Sequence, residues 1–412
     1  MDKRILIVGQ HFWPESFRIN DIADFLANEK GCSVDVLCGL PNYPSGKFPD
    51  GYGYFKNRHQ THKNIKIMRA FEIPRGNNSN IRIFLNYISF PIASLFHIPH
   101  LLTKKYDKIF IYQLSPVMMA ISGILLGRLT RTETTMYILD LWPENLYSVI
   151  NVQNPALRKI ASTVSHWHYR HVDKLIVLSE SMKQKIIDVT HAHPKNIIVI
   201  PQASEKIYET PIHDKSLHQR FKNKFTVVFT GNISPAQSFD TMINAASLLR
   251  DQGYHDIHWI IVGDGMSRKD VERSINNHNL ADCFSLEGHY PIEHMPRYIE
   301  RADVLVGCLV KSSLLEATIP AKVMSYIASG KPIVLAMDGE VQELVQQKIK
   351  CGFTGPAGDA IMLAENIKKI YNLTSKDRMK LGVNAKSYHF EKFERNILLG
   401  KMFDFIFSSS KV

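Results

Sequence analysis

Along the first 200 residues, short apolar runs recur at regular intervals: ILIVG (5–9), VDVLC (34–38), IKIMRA (65–70), KIFIYQ (108–113), TTMYIL (134–139), KLIVLS (174–179) and NIIVIP (196–201). Each has the length of a strand and is apolar throughout rather than alternating, as a strand covered on both faces must be. Helical spacing separates several of them, at 20–30, 117–130 and 155–171. Strands alternating with helices predict a parallel, doubly wound α/β sheet whose ligands gather at the carboxyl ends of the strands. The alternation returns at FTVVFTG (225–231), HWIIVGDG (258–265), CFSLEG (283–288), ADVLVGCLV (302–310), KPIVLA (331–336) and CGFTGP (351–356), with helical patterns at 237–250 and 267–278. Between the two sets, residues 204–224 are polar, charged and aperiodic, which predicts a linker. The tail, 377–407, has helical spacing and an aromatic face. The pattern therefore predicts two Rossmann-like domains, 1–203 and 225–385, with their strand ends facing across a cleft, and a closing helix within 386–412 that packs across both.

The polar segments between these runs are where chemistry is expected. QHFWPESFRIND follows the first strand, GLPNYPSGKFPDGYGY the second and DLWPEN the fifth. Aromatics, prolines and a few charges make pocket rims more than solvated turns. Asp140, at the end of a buried strand, is placed to orient a hydroxyl or accept a proton, or to cap the turn that follows. Glu144, Glu15 and Tyr43 are further candidates in the same loops. In the second half, 302–336 reads as strand, polar loop, Pro-opened helix, Gly stop and strand. Val323, Met324, Ile327 and Ala328 share one face of that helix, and Gly330 sits where a left-handed cap belongs. The helix opens at Pro320–Ala321, with Lys322 in its first turn. Unpaired N–H groups at a dipole's positive end beside a cation suit a phosphate; the alternative is an ordinary crossover with a solvated lysine. Gly231-Asn232-Ile233-Ser234 is a glycine turn after a buried strand, open to a phosphate or sugar or simply tight. Gly263 and Asp264 repeat that geometry one unit later.

Composition narrows the partners. The 412 residues suit two domains, and 45% apolar with 22% charged content is that of a globular protein. A net charge of +11 favours phosphates, polyanions or an anionic membrane face. Nucleic acid is disfavoured, because the basic residues are scattered without a recognition motif. Cys32, Cys38, Cys283, Cys308 and Cys351 are odd in number and spread out, which predicts buried reduced thiols. No Asp-x-Asp pair or His cluster has the spacing of a divalent-metal site, so no metal is expected. No G-x-G-x-x-G follows either opening strand, which disfavours a dinucleotide oxidoreductase. ILIVG is too short for a signal core. Ile81–Leu102 contains Arg82, Asn86, Pro91, His97, Pro99 and His100, so it is not expected to span a bilayer. Next to Lys104 and Lys105 it fits an interfacial helix or a buried helix pair equally well.

In chain order, QHFWPESFRIND, GLPNYPSG, DLWPEN, FTGNISPAQSFDTMINAA, IIVGDG, LEGHYP, ADVLVGCL and IPAKVMSYIASGKPIV resemble the retaining glycosyltransferases of family 4. These are two-domain GT-B enzymes, and the resemblance extends over nearly the whole chain. It looks closest to the branch of N-acetylfucosamine and colanic-acid-type exopolysaccharide transferases. The resemblance implies a nucleotide-sugar donor, such as UDP-N-acetylfucosamine, bound mainly by the second domain. It also implies an acceptor on the first domain, no cofactor and no metal. It assigns the donor to Gly231, Asn232, Gln237, Gly263, Asp264, Gly288, Pro320, Ala321 and Lys322, with Glu316 touching the sugar. Two departures stand out. Many members carry Arg and Lys where this chain has Asn232 and Gln237, so Lys322 and then Arg18 are expected to compensate. Of the family's paired glutamates, Ser325 occupies the second position and Ala317 the first, so either the neighbouring Glu316 takes the first role in a shifted register or the motif is absent. The function expected is transfer to a lipid-linked (polyprenyl diphosphate) or oligosaccharide acceptor in O-antigen, capsule or exopolysaccharide assembly. The enzyme would be cytoplasmic and peripheral on the inner face of the cytoplasmic membrane. Alternatives are a GT-B nucleotide-sugar epimerase or a non-catalytic sugar-nucleotide-binding subunit.

Overall fold

The computed structural model describes residues 3–77, 79–144, 146–147, 154–312 and 315–408. Asn145 of DLWPEN, residues 313–314 of the loop before Pro320 and residues 409–412 of the expected closing helix lie outside the described residues. Contacts divide the chain into two units, Met1–Ile200 with Leu399–Val412, and Pro201–Leu398.

In the first unit the strands are β1 (Arg4–Val8), β2 (Ser33–Cys38), β3 (His59–His62), β4 (Ile65–Arg69), β5 (Lys108–Gln113), β6 (Thr134–Ile138), β7 (Lys174–Val177) and β8 (Ile197–Val199). They form one sheet in the order β3-β4-β2-β1-β5-β6-β7-β8, with β3 antiparallel to β4 and every other pair parallel. The winding reverses between β1 and β5, which makes that crevice the topological switch point. Strand β3, HQTH, is the one strand without an apolar run. It lies at the edge, exposed or half-exposed throughout, so its sequence carries no burial signal.

The second unit holds β9 (Phe225–Thr230), β10 (Ile257–Val262), β11 (Phe284–Gly288), β12 (Val304–Cys308), β13 (Ile333–Ala336) and β14 (Gly352–Gly355). Their order is β11-β10-β9-β12-β13-β14, all parallel, with the switch point between β9 and β12. Alternate residues feed opposite cores. Val227, Phe229, Trp259 and Ile261 join one cluster, and Val228, Ile260, Val262 and Leu305 the other. Helices on both faces leave no solvated side, hence the unbroken apolar runs. Both units are doubly wound Rossmann-like domains, as in the GT-B fold.

The stretch 204–224, expected as a linker, falls inside the second unit. It forms a 3-10 turn, Lys206–Glu209, and a helix, Lys215–Arg220, and buries Leu217 and Phe221 in the second core cluster. Two apolar residues four apart suffice to dock one helical turn, and that pair is hidden in a polar context. At the other end, helix Ser375–Tyr388 lies in the second unit, while helix Arg395–Phe407 passes to the first from Leu399 onward. There the Lys174 ammonium donates to the carbonyls of Phe405 at 2.8 Å and Ser408 at 2.6 Å. Lys3 sits 4.4 Å above the Phe403 ring.

The apolar segment 81–102 forms helix Asn80–Leu95, which contains Pro91, followed by Ile98–Leu102. Asn86, Phe90 and Ser94 are fully buried, while Ile81, Phe84, Ile92 and Phe96 are exposed. No helix among the described residues is long and apolar enough to cross a membrane. The cysteines are free thiols, buried except for the half-buried Cys283.

Candidate functional site

At the switch point of the second sheet, β9 ends at Thr230 and the chain turns through Gly231 with φ 137°, a conformation closed to most side chains. A Cβ on Gly231 would stand 3.4 Å from Lys322 Nζ. The loop after β10 packs backbone to backbone against this turn: a Cβ on Gly263 would lie 1.9 Å from the Gly231 carbonyl, and one on Gly265 2.2 Å from that of Ile233. Gly231 N–H donates to Val262 O at 2.9 Å, Ile233 N–H to Asp264 O at 2.9 Å, and Gly263 N–H to Gly288 O at 2.8 Å. Glycine is thus required at 263 and 265 by contact, and the turns carrying Gly231, Asn232, Gly263, Asp264 and Gly288 form one platform at the strand ends.

The helix Ala321–Ser329 points its N-terminus at this platform. Pro320 is extended and precedes the first turn, and Gly330 closes the helix in the left-handed region at φ 72°. The first bond of that turn is Val323 N–H to Pro320 O at 2.9 Å, so the N–H groups of Ala321 and Lys322 precede it. Tyr326, fully buried, anchors the helix: its hydroxyl accepts from Thr230 N–H at 2.9 Å and donates to Val306 O at 3.3 Å, bracketing β9 and β12. Lys322 turns back over the Phe229 ring, with Nζ 3.7 Å from its centroid, and donates to Gln237 Oε1. Burial pushes its pKa down to about 7, with the neighbouring Cys308 acting weakly the other way. An ammonium held among apolar groups with one neutral acceptor is poised to gain from an anion. Ser325 is buried and its hydroxyl bonds back to Ala321 O at 3.4 Å. Glu316 lies in the short 3-10 turn Leu315–Ala317 before the helix. Its carboxylate takes no hydrogen bond among the described residues, and its carbonyl would meet a Cβ on Gly339 at 2.2 Å.

In the first unit, Asp140 follows β6 and accepts from the Ser115 N–H at 3.0 Å and hydroxyl at 2.8 Å. Burial raises its pKa against those two bonds. Trp142 Nε1 donates to the same Ser115 hydroxyl at 2.9 Å. Glu144 Oε2 is buried and takes no hydrogen bond among the described residues. Glu15 is 5% exposed and ties two loops together. Its Oε1 accepts from the N–H groups of Asn42 and Tyr43, both at 2.6 Å, and its Oε2 meets His11 Nδ1 at 2.7 Å. The Tyr43 ring is 45% exposed under the Arg75 guanidinium at 5.3 Å. Arg18 opens the helix Arg18–Asp24 that follows the first loop.

Residues 224–372 match the family model of glycosyl transferases group 1. The second unit thus resembles a group 1 glycosyltransferase domain over most of its length. The protein is accordingly a glycosyltransferase of the hexosyltransferase type. It is 22% identical over 351 residues, 81% of this chain and 83% of the other, to an Escherichia coli (strain K12) protein named as a colanic acid biosynthesis glycosyl transferase, WcaI. It is 27% identical over 150 residues, 36% of this chain and 35% of the other, to the amylovoran biosynthesis glycosyltransferase AmsK of Erwinia amylovora. Its fold matches the structure of Anabaena HepE in complex with UDP and glucose, with TM-score 0.69 at 15% identity, covering 98% of both chains.

Within this glycosyltransferase, Gly231, Asn232, Gln237, Gly263, Asp264, Gly288, Pro320, Ala321 and Lys322 come together at one sheet end, and Glu316 lies on the approach to the same helix. Asp140, Glu15 and Tyr43 stand in loops of the first unit. Sequence reasoning missed Glu72. It is fully buried just beyond β4, and its Oε1 accepts from Gln10 at 2.9 Å, Asn42 at 3.1 Å and Asn86 at 2.6 Å. Burial lifts its pKa to about 7, partly countered by His11. It also missed Ser115 and Tyr326. Glu72 and Ser115 share a signal that marks Asp140 too: a polar residue a few positions past a buried strand.

Proposed function

We propose that the glycosyltransferase moves a sugar, with retention and without a metal ion, from a UDP-sugar of the N-acetyl type, such as UDP-N-acetylfucosamine. The acceptor is a lipid-linked or oligosaccharide chain in the assembly of a bacterial surface polysaccharide. One observation carries this reading: Lys322, the glycine platform and a helix N-terminus converge at the switch point of the second sheet. Breaking a sugar–diphosphate bond loads charge onto the leaving group, and fixed cations and backbone donors stabilise that charge. In this reading Lys322 and the first-turn N–H groups meet the diphosphate. Gly231, Asn232, Gln237, Gly263, Asp264 and Gly288 line the nucleotide, Glu316 contacts the sugar, and Asp140 orients a reacting hydroxyl. Uridine is favoured by the UDP bound to HepE, and a polysaccharide product by the names of WcaI and AmsK.

Peripheral attachment to the inner membrane face is part of the proposal. Its support is the outward face of helix Asn80–Leu95, with Ile81 73%, Phe84 55% and Ile92 53% exposed, Phe96 80% exposed just beyond it, and the net charge of +11. Flotation with anionic phospholipid vesicles should recover the protein, and the double change Ile81→Ser with Phe84→Ser should release most of it. For the chemistry, thermal-shift measurements with UDP, GDP and ADP should single out UDP, and a UDP-sugar panel should then yield slow UDP release. Silence toward every nucleotide would overturn the reading.

A further inference from the structure

His213, His218 and Glu300 come together in the second unit at the opposite end of its sheet from the glycine platform. His213 directly precedes Asp214, whose carboxylate caps helix Lys215–Arg220 by accepting from the N–H groups of Ser216 and Leu217. His218 lies one turn further along, and Glu300 is contributed by helix Met295–Arg301, which leads into the amino end of β12. His218 Nε2 is 2.7 Å from Glu300 Oε2, and His213 Nδ1 is 3.7 Å from Glu300 Oε1. The two imidazole rings are 4.3 Å apart between centroids. One ligand atom from each of the three residues lies within 4.8 Å of the others, the one such group among the described residues.

We propose that these three side chains bind a divalent transition-metal ion of the zinc class, through two imidazole nitrogens and a carboxylate oxygen, with water completing the coordination. Imidazole with a single carboxylate suits zinc, nickel or copper and not the all-oxygen demand of magnesium or calcium. Bonds of about 2.0–2.1 Å in a tetrahedral site put neighbouring ligands roughly 3.3 Å apart, within the spread seen here. The side chains are 58%, 37% and 21% exposed for His213, His218 and Glu300, so an ion and its waters can enter. The backbone under the ligands is held independently. Lys331 donates to the carbonyls of Glu300 and Ala302, and Arg297 pairs with Asp214 at 3.5 Å. Those two cations oppose a bound ion and set its affinity below that of a closed structural site. The six residues of β9 separate this end of the sheet from Gly231, about 20 Å of strand. The ion therefore acts on the fold, clamping the segment before β9 to the helix before β12, and not on the sugar chemistry.

The test uses the full chain, free of any histidine tag and stripped with a chelator, titrated with zinc chloride against a chromophoric competitor. One equivalent should bind, the thermal transition should rise with zinc, and magnesium should leave it unmoved. His213→Ala, at an exposed position, and His218→Ala should each weaken zinc binding at least tenfold and abolish the thermal shift, while nucleotide binding stays at its wild-type value. Glu300→Gln, which keeps the shape, should also weaken it. Equal zinc affinity in wild type and His213→Ala, no stoichiometric binding at all, or an equal response to magnesium would overturn the assignment.

Discussion

Raising the pH from 7 to 9 should weaken UDP binding through one side chain. With its pKa pushed down to about 7, the free Lys322 amine is about half protonated at pH 7 and about one-hundredth protonated at pH 9. A diphosphate set against the ammonium supplies the opposite charge that burial denied it, so the bound form keeps its proton across this range. The dissociation constant then rises about 50-fold, or about 2 kcal/mol. The terminal phosphate, with its own ionisation near pH 6, is already fully charged and adds no slope. Isothermal titration at pH 7, 8 and 9, in two buffers of different ionisation enthalpy, counts the protons taken up. About half a proton per UDP is expected at pH 7 and close to one at pH 8 and above. Lys322→Met should bind weakly with no pH slope, and Lys322→Arg, charged throughout, should lose the slope as well. A wild-type dissociation constant unchanged between pH 7 and 9, or binding without proton uptake, refutes the reasoning.

Glu72 makes a stability prediction with a definite sign. Its carboxyl is raised from 4.5 to about 7, so in that window the folded unit holds a proton that the unfolded chain has released. Stability of the first unit falls as pH rises from 4.5 to 7 and levels off above. Glu72→Gln cannot ionise, and at pH 8 should exceed wild type by up to about 3 kcal/mol, a gap that closes toward pH 4.5 in denaturant unfolding. Tyr326→Phe removes the acceptor for the buried Thr230 N–H and should cost the second unit about 1–3 kcal/mol; a loss below about 0.5 would mean that the bond is dispensable. Asp140→Asn and Arg18→Ala should each reduce turnover at least tenfold with the circular dichroism spectrum unchanged, and near-wild-type rates in both would remove the roles expected of them.

Most of the strand cores are legible in the sequence because burial on both faces leaves apolar runs that no loop would keep; Lys108–Gln113 matches its run end to end. The polar edge strand His59–His62 and the docked helix Lys215–Arg220 are not legible, because their stability comes from neighbours rather than from their own composition. The glycine turns and the helix opened by Pro320 are local features, and local spacing reveals them. What brings Lys322 to Gln237, 85 residues away, or Glu72 to Gln10, 62 away, is the winding of the sheet, and no short-range pattern encodes it. The His213–His218 pair escapes a search for metal spacing for the same reason: its third partner comes 82 residues after His218.

The return of helix Arg395–Phe407 to the first unit governs the order in which a nascent chain can finish. The second unit lies wholly within residues 201–398, whereas the first unit takes its last element from Leu399 onward. Until Phe405 and Ser408 emerge, the Lys174 ammonium lacks the Phe405 carbonyl and both the carbonyl and the hydroxyl of Ser408, and the aromatic face that covers Lys3 is missing. Of the two units, the one whose strands come first in the chain is therefore the one whose last element comes last, and a chain truncated before residue 399 would lack the part of helix Arg395–Phe407 that belongs to it.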